Sequence, residues 1–140
     1  MSHRRFDQLV TDMIDHPGVA IVDDNIDLTY LLKKLLDQKH MYVSFVAYNG
    51  DDAVKKFIEC SSKPDIIIMD YRLPDKNGIE TMKEILCISR ETQIIFLSAD
   101  SEIEKESLQS GAAVFLKKPA RMNKAPTMIA AEMTISPFKV

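Results

Sequence analysis

Short apolar runs alternate along this chain with stretches in which apolar positions recur every three or four residues. The runs are Val19 to Val22, Met41 to Ala47, Ile66 to Met69, Ile94 to Leu97 and Ala113 to Leu116. Each is too short for a helix and is bounded by turn-forming or charged residues, so each predicts a strand. In the second run, strict alternation puts Val43, Phe45 and Ala47 on one side. Between the runs, Leu28, Leu31, Leu32, Leu35 and Leu36 share one face of a predicted helix, with Asn25 or Asp24 as its cap. Ala53, Val54, Phe57 and Ile58 define a second helix after the turn at Asn49 to Asp51, and Ile79, Met82, Ile85 and Leu86 a third, opened by Gly78. A fourth is expected from Ser101, where Glu104 completes a capping-box pattern. Its apolar face is thin, Ile103 and Leu108 alone, and Gly111 ends it.

The flanks are patterned differently. Phe6, Leu9, Val10, Met13 and Ile14 predict an amphipathic helix in an N-terminal extension, residues 1–17. That extension is expected to dock on the domain or on a second copy, which would make a homodimer. Beyond Pro119, Met122, Ala125, Ile129 and Met133 predict a last helix starting near Lys124 with Asn123 as cap, because Pro126 is tolerated only in a first turn. Pro137 ends it, leaving residues 135–140 as a tail and 18–134 as the domain proper.

Strands alternating with helices imply an α/β domain, a parallel sheet covered on both faces. The 140 residues suffice for one such domain, and 46% apolar with 28% charged residues is ordinary globular composition. A net charge of −3 gives no general attraction to nucleic acid or anionic membrane. No apolar run reaches membrane-spanning length and the N-terminus has no signal-peptide core. Cys60 and Cys87 match no metal spacing and are expected as reduced thiols in a cytoplasmic protein.

In parallel sheets ligands bind at the carboxyl ends of the strands. The polar residues there are Asp23 and Asp24, Asp70, Ser98 and Lys118. Asp70 is the most telling, because it ends a run buried on both faces, Ile66 to Met69, and begins the loop to Gly78. If the two strands that carry them are neighbours, the three carboxylates repel one another, and a hard divalent cation resolves the conflict. Mg²⁺ suits the set, since it takes one or two carboxylates together with waters and phosphate oxygens. Lys118 would add a fixed positive charge and Ser98 a hydroxyl. Around one carboxylate, such groups make a site for a phosphoryl group, with Asp70 as nucleophile.

The segments VDD at Val22 to Asp24, MDYRLPDKNG at Met69 to Gly78, SA at Ser98 and Ala99, and LKKP at Leu116 to Pro119 occur in this order, each at a strand end. Together they resemble the receiver domain of two-component response regulators of the chemotaxis-regulator type, over Val19 to Pro119. The resemblance implies a flavodoxin-like doubly wound sheet of five parallel strands in the order 2-1-3-4-5. It implies Asp70 as phosphoacceptor, and Asp23 and Asp24 with the backbone carbonyl of Arg72 as further Mg²⁺ ligands. Ser98 and Phe115 are then the switch residues, Lys118 the site lysine, and Lys117 exposed. The peptide bond before Pro119 is usually cis in this family. The implied partners are a sensor histidine kinase or phosphotransfer protein and an unidentified output partner, with phosphotransfer and hydrolysis confined to the domain itself rather than turned over as an enzyme. The chain is expected to be a stand-alone receiver or a fragment of a longer protein.

Arg72, two residues after Asp70, and Asp100, two after Ser98, are expected to line the pocket mouth and approach each other. The alternatives are a degenerate receiver that binds partners without phosphorylation and an aspartyl-phosphate phosphatase. The first usually lacks an acidic residue that is present here. The second needs carboxylates two residues apart on one loop, where this chain has Tyr71 and Arg72. The scattered glycines form no phosphate loop.

Overall fold

The structure, a computed structural model, describes residues 18–118. The elements run β1 (Gly18–Val22), α1 (Ile26–Gln38), β2 (Tyr42–Ala47), α2 (Gly50–Glu59), β3 (Ile66–Met69), α3 (Gly78–Ile88), β4 (Gln93–Ser98), a 3₁₀ turn (Ser101–Ile103), α4 (Glu104–Gln109) and β5 (Val114–Lys117). The five strands are parallel, in the order β2-β1-β3-β4-β5. The N-terminal extension, the helix expected near Lys124, the tail and the bond before Pro119 lie outside the described residues.

Alternation along the central strands feeds two cores. Val19, Ile21, Ile66, Ile68, Ile95 and Leu97 pack on one face with Leu28, Leu32 and Leu36 of α1. Ala20, Val22, Ile67, Met69, Ile94 and Phe96 pack on the other with α2, α3 and Ile103. All four residues of β3 are buried, as a strand covered on both faces must be.

The edge strand departs from simple alternation. Val19 pairs with Val43 but Ala20 pairs with Phe45, so Ser44 is an extra residue, a bulge. A one-residue slip turns the remainder of the strand to the other face. Val43 and Val46 therefore pack on the α1 side, whereas Phe45 and Ala47 pack on the α2 side. The expectation that Val43, Phe45 and Ala47 share a face is corrected accordingly.

Helix faces are narrower than their apolar patterns. Leu31 and Ile58 are exposed, and the buried stripes are Leu28, Thr29, Leu32 and Leu36 on α1 and Ala53 and Phe57 on α2. Asn25 caps α1, accepting a hydrogen bond from Leu28 N–H at 3.1 Å. Asn77 caps α3 in a reciprocal box with Glu80. The capping box expected at Ser101 does not form: the chain enters α4 through a 3₁₀ turn without any side-chain cap. Gly111 closes α4 at φ +123°, a conformation that L side chains resist.

Candidate functional site

Strand register brings the acidic residues together. Val22 pairs with Met69, so the next residue on each strand, Asp23 and Asp70, emerges at the same edge. The Asp70 N–H donates to the Val22 carbonyl at 2.9 Å, and the Asp23 N–H to the Ala47 carbonyl at 3.0 Å. Both side chains are buried, while Asp24 is exposed. One carboxylate oxygen from each of Asp23, Asp24 and Asp70 lies within 4.8 Å of the others. Oxygen-only donors at this spacing fit a hard divalent cation.

Lys118 reaches the basin from the end of β5. Its own N–H donates to the Ser98 carbonyl at 2.9 Å, which fixes the backbone there. Its Nζ lies 2.6 Å from Asp23 Oδ2 and 3.5 Å from Asp70 Oδ2. The opposite oxygens are held locally: Asp23 Oδ1 accepts from Asn25 N–H at 2.9 Å and Asp70 Oδ1 from Tyr71 N–H at 2.9 Å. Burial, and then the neighbouring Asp23 carboxylate, push the Asp70 carboxyl up to about 6, against the opposing pull of Lys118. The basin thus carries more negative charge than its lysine neutralises, which a bound cation would correct.

Ser98 is buried beside this edge, and its hydroxyl accepts the Asp100 N–H at 3.1 Å. Phe115 is half-buried against the α2-side core, and Lys117 is exposed as expected. Arg72 and Asp100 meet as expected, through Nε–Oδ2 at 2.5 Å and Nη2–Oδ1 at 2.9 Å, a two-pronged pair spanning the loops after β3 and β4. The Arg72 guanidinium holds the Asp100 carboxyl below its usual range.

Gly78 controls the approach of α3 to the acceptor. Its N–H donates to the Tyr71 carbonyl at 2.7 Å, and a Cβ there would collide with the Asp70 carbonyl oxygen and lie 3.0 Å from Phe96. Gly78→Ala is expected to cost about 1–3 kcal/mol of stability by overpacking. Urea denaturation measures this, and an unchanged midpoint contradicts it.

Asp75 and Lys76 are not among the site residues expected from the sequence, although both prove to tie the loop after β3 to α2. Asp75 Oδ1 and Oδ2 accept the Gly50 and Asp51 N–H groups at 2.8 and 2.7 Å. An acidic residue after a proline in a turn is the one visible hint, but its partners lie 24 and 25 residues away.

The comparisons with known proteins agree with this geometry. The family model for the response regulator receiver domain matches residues 19–130. The chemotaxis protein CheY of Thermotoga maritima is 38% identical over 103 residues, covering 72% of this chain and 84% of that protein. The transcriptional regulatory protein CpxR of Klebsiella pneumoniae is also 38% identical over 103 residues, with 72% of this chain but only 42% of that longer protein covered. Among solved structures, a CheX–CheY–BeF₃–Mg²⁺ complex from Borrelia burgdorferi superposes with a TM-score of 0.75 at 25% identity, covering 81% of this chain and 87% of that one. The sheet order 2-1-3-4-5 and the acidic side chains at its carboxyl edge, taken with the family match, mark the chain as a phosphoacceptor domain. The chain belongs to the response regulator receiver domain family.

Proposed function

We propose that Asp70 is the residue that takes the phosphoryl group in this receiver, with Asp23, Asp24, Asp70 itself and the Arg72 backbone carbonyl as Mg²⁺ ligands. The observation that carries this is the convergence of three carboxylates within 4.8 Å while Lys118 Nζ lies 3.5 Å from Asp70 Oδ2. When bound, Mg²⁺ would neutralise the carboxylates and the phosphoryl oxygens. The protein's own part is positional. The Tyr71 N–H fixes one Asp70 oxygen and leaves the other toward Lys118. Lys118 supplies charge to the equatorial oxygens. A sensor histidine kinase or phosphotransfer protein is the donor, and the domain releases the group by hydrolysis without acting on other substrates.

Ser98 and Phe115 are the switch pair. Phosphorylation biases a pre-existing equilibrium in which the Ser98 hydroxyl leaves the Asp100 N–H for the phosphoryl group and Phe115 turns inward. The weakly held α4 makes that shift cheap: Ser107 is buried, as is Ile103 in the 3₁₀ turn before it, but the helix's Leu108 is exposed. Residues 18–134 form the domain, 1–17 an extension that docks on the domain or on a second copy, and 135–140 a tail. The protein acts in the cytoplasm, and no described helix is long and apolar enough to cross a membrane.

Incubation with a small acyl phosphate and Mg²⁺, followed by intact mass, tests the assignment. The chain should gain one phosphoryl mass, and no gain would sink the proposal.

The Arg72–Asp100 pair partly screens the phosphoryl group from water and slows its loss. Exposed pairs are weak, so the expected effect of replacing both with Ala is modest, about a twofold to fivefold shorter phosphoryl lifetime. An unchanged decay of the phosphorylated mass removes this role.

A further inference from the structure

The loop from Asp70 to Gly78 carries the acceptor and the carbonyl assigned to the metal, yet little of it is regular structure. Besides the Arg72–Asp100 pair and Tyr71, which packs on the same core, three attachments bear on its course toward α2 and α3. Leu73 packs against the α2-side core, the Gly78 N–H closes onto the Tyr71 carbonyl, and Asp75 binds the first turn of α2. The last attachment is unusual. Helix α2 already has a local cap, Asn49, whose side chain accepts the Asp52 N–H at 2.7 Å. Asp75 satisfies two further donors of that turn from a distant part of the chain, Gly50 and Asp51, while its Oδ1 also accepts the Lys76 N–H at 2.8 Å.

The neighbouring residues tighten the same junction. Lys76 Nζ pairs with Asp51 Oδ1 at 2.9 Å and also with Glu84 on α3. A Cβ at Gly50 would run into Thr81 and the Lys76 side chain, so the glycine is what lets α2 approach the loop this closely. Burial opposes it, but the Asp51, Gly50 and Lys76 N–H groups hold the Asp75 carboxyl down to about 2. Asp75 is therefore ionised and fully engaged at neutral pH.

We infer that Asp75 is a positioning residue for the metal site: by anchoring its loop to α2, it fixes the Arg72 backbone and Asp70 in the arrangement that accepts Mg²⁺. This rests on the assignment of Mg²⁺ to the basin of Asp23, Asp24 and Asp70. Asp75 touches none of those carboxylates and acts through the three-residue step back to Arg72, in which Pro74 restricts the backbone. Outer groups that hold ligands in place commonly govern metal affinity as well as orientation.

The test compares two losses of a cap from one helix. Asp75→Ala and Asn49→Ala both remove donors' partners at the first turn of α2, but only Asp75 belongs to the loop. Mg²⁺ alone is titrated into metal-stripped protein by calorimetry, and urea denaturation in EDTA is run alongside. Both variants should lose stability. Only Asp75→Ala should weaken Mg²⁺ binding, by about tenfold. Asp75→Asn keeps an oxygen for Gly50 and Lys76 and loses the bond from Asp51, so it should fall between, about threefold weaker. That variant also carries the test if Asp75→Ala does not fold. Affinity of the Asp75 variants within the error of wild type, or an equal loss in Asn49→Ala, overturns the inference and leaves Asp75 a cap. A wild-type protein that binds no Mg²⁺ overturns the metal assignment first, and this inference with it.

Discussion

Asp70→Asn is expected to take up no phosphoryl group from a small acyl phosphate, under conditions in which the wild type gains one. The amide keeps the shape of the carboxylate but is no nucleophile at neutral pH. No described side chain replaces it: Asp23 is occupied by Lys118 and the Asn25 N–H, and Asp24 is exposed. Intact mass decides the matter, and a phosphorylated Asp70→Asn protein would mean that another residue is the acceptor.

The same substitution should stabilise the metal-free protein. Asp70 titrates at about 6 in the fold against a usual 3.8, because burial and Asp23 disfavour its charge. Below the lower value it is protonated in folded and unfolded chains alike and costs nothing. As pH rises, the unfolded chain loses its proton first, so the penalty grows between the two values and is complete above the higher one. At pH 7 it amounts to about 3 kcal/mol. In EDTA, Asp70→Asn should therefore be more stable than wild type by up to about that amount, and the loss of stability between about pH 4 and 6 should flatten. Asp75 has the opposite sign: its folded value of about 2 makes its contribution present above 3.8 and lost as pH falls below that. The two windows are separate, so urea denaturation across pH distinguishes them. Equal wild-type and Asn midpoints at pH 7 in EDTA would contradict the account of Asp70.

Lys118→Met carries the second large effect. Met keeps most of the stem but leaves Asp23 and Asp70 facing each other without a cation. Removing one partner of a buried ion pair costs about 3–5 kcal/mol, and Lys118 is only partly exposed, so about 2–3 kcal/mol is expected in EDTA. Mg²⁺ should restore part of it, because the metal replaces some of the missing charge. Phosphoryl uptake should slow by about a hundredfold, the scale for losing one preorganised charge partner of the transition state. Urea denaturation with and without Mg²⁺, and timed intact mass, read both effects. Wild-type stability in EDTA together with a wild-type rate would remove Lys118 from the site.

The site is unusually legible in the sequence because its members sit at strand ends. A polar residue that closes a buried apolar run, as Asp70 closes Ile66 to Met69, stands out against its neighbours. The same holds for Asp23 after Val19 to Val22 and Ser98 after Ile94 to Leu97. Arg72 and Asp100 can be paired in advance, because each lies two residues beyond such an end. Asp75 is not legible in this way. Its value depends on the Gly50 and Asp51 N–H groups, and no local pattern connects a turn aspartate to a helix start on another segment. The failed capping box at Ser101 has a related cause: local spacing offers Glu104, but the chain there turns as a 3₁₀ segment while the Asp100 carboxylate is drawn to Arg72.

By itself the sequence determined the alternation of strands and helices, the buried character of β3, and the short list of polar residues released at strand ends. These come from periods of two and about 3.6 residues, which are properties of neighbours along the chain. Periodicity does not place β3 beside β1; the family resemblance implied it and the tertiary structure shows it, so that Asp23 and Asp70 share an edge. Only the tertiary structure revealed the bulge at Ser44 that turns Val43 away from Phe45, the 2.6 Å approach of Lys118 to Asp23, and the anchoring of Asp75 on α2. Each of these is a meeting of distant segments, set by which faces must be buried together and by where charges and N–H groups find partners.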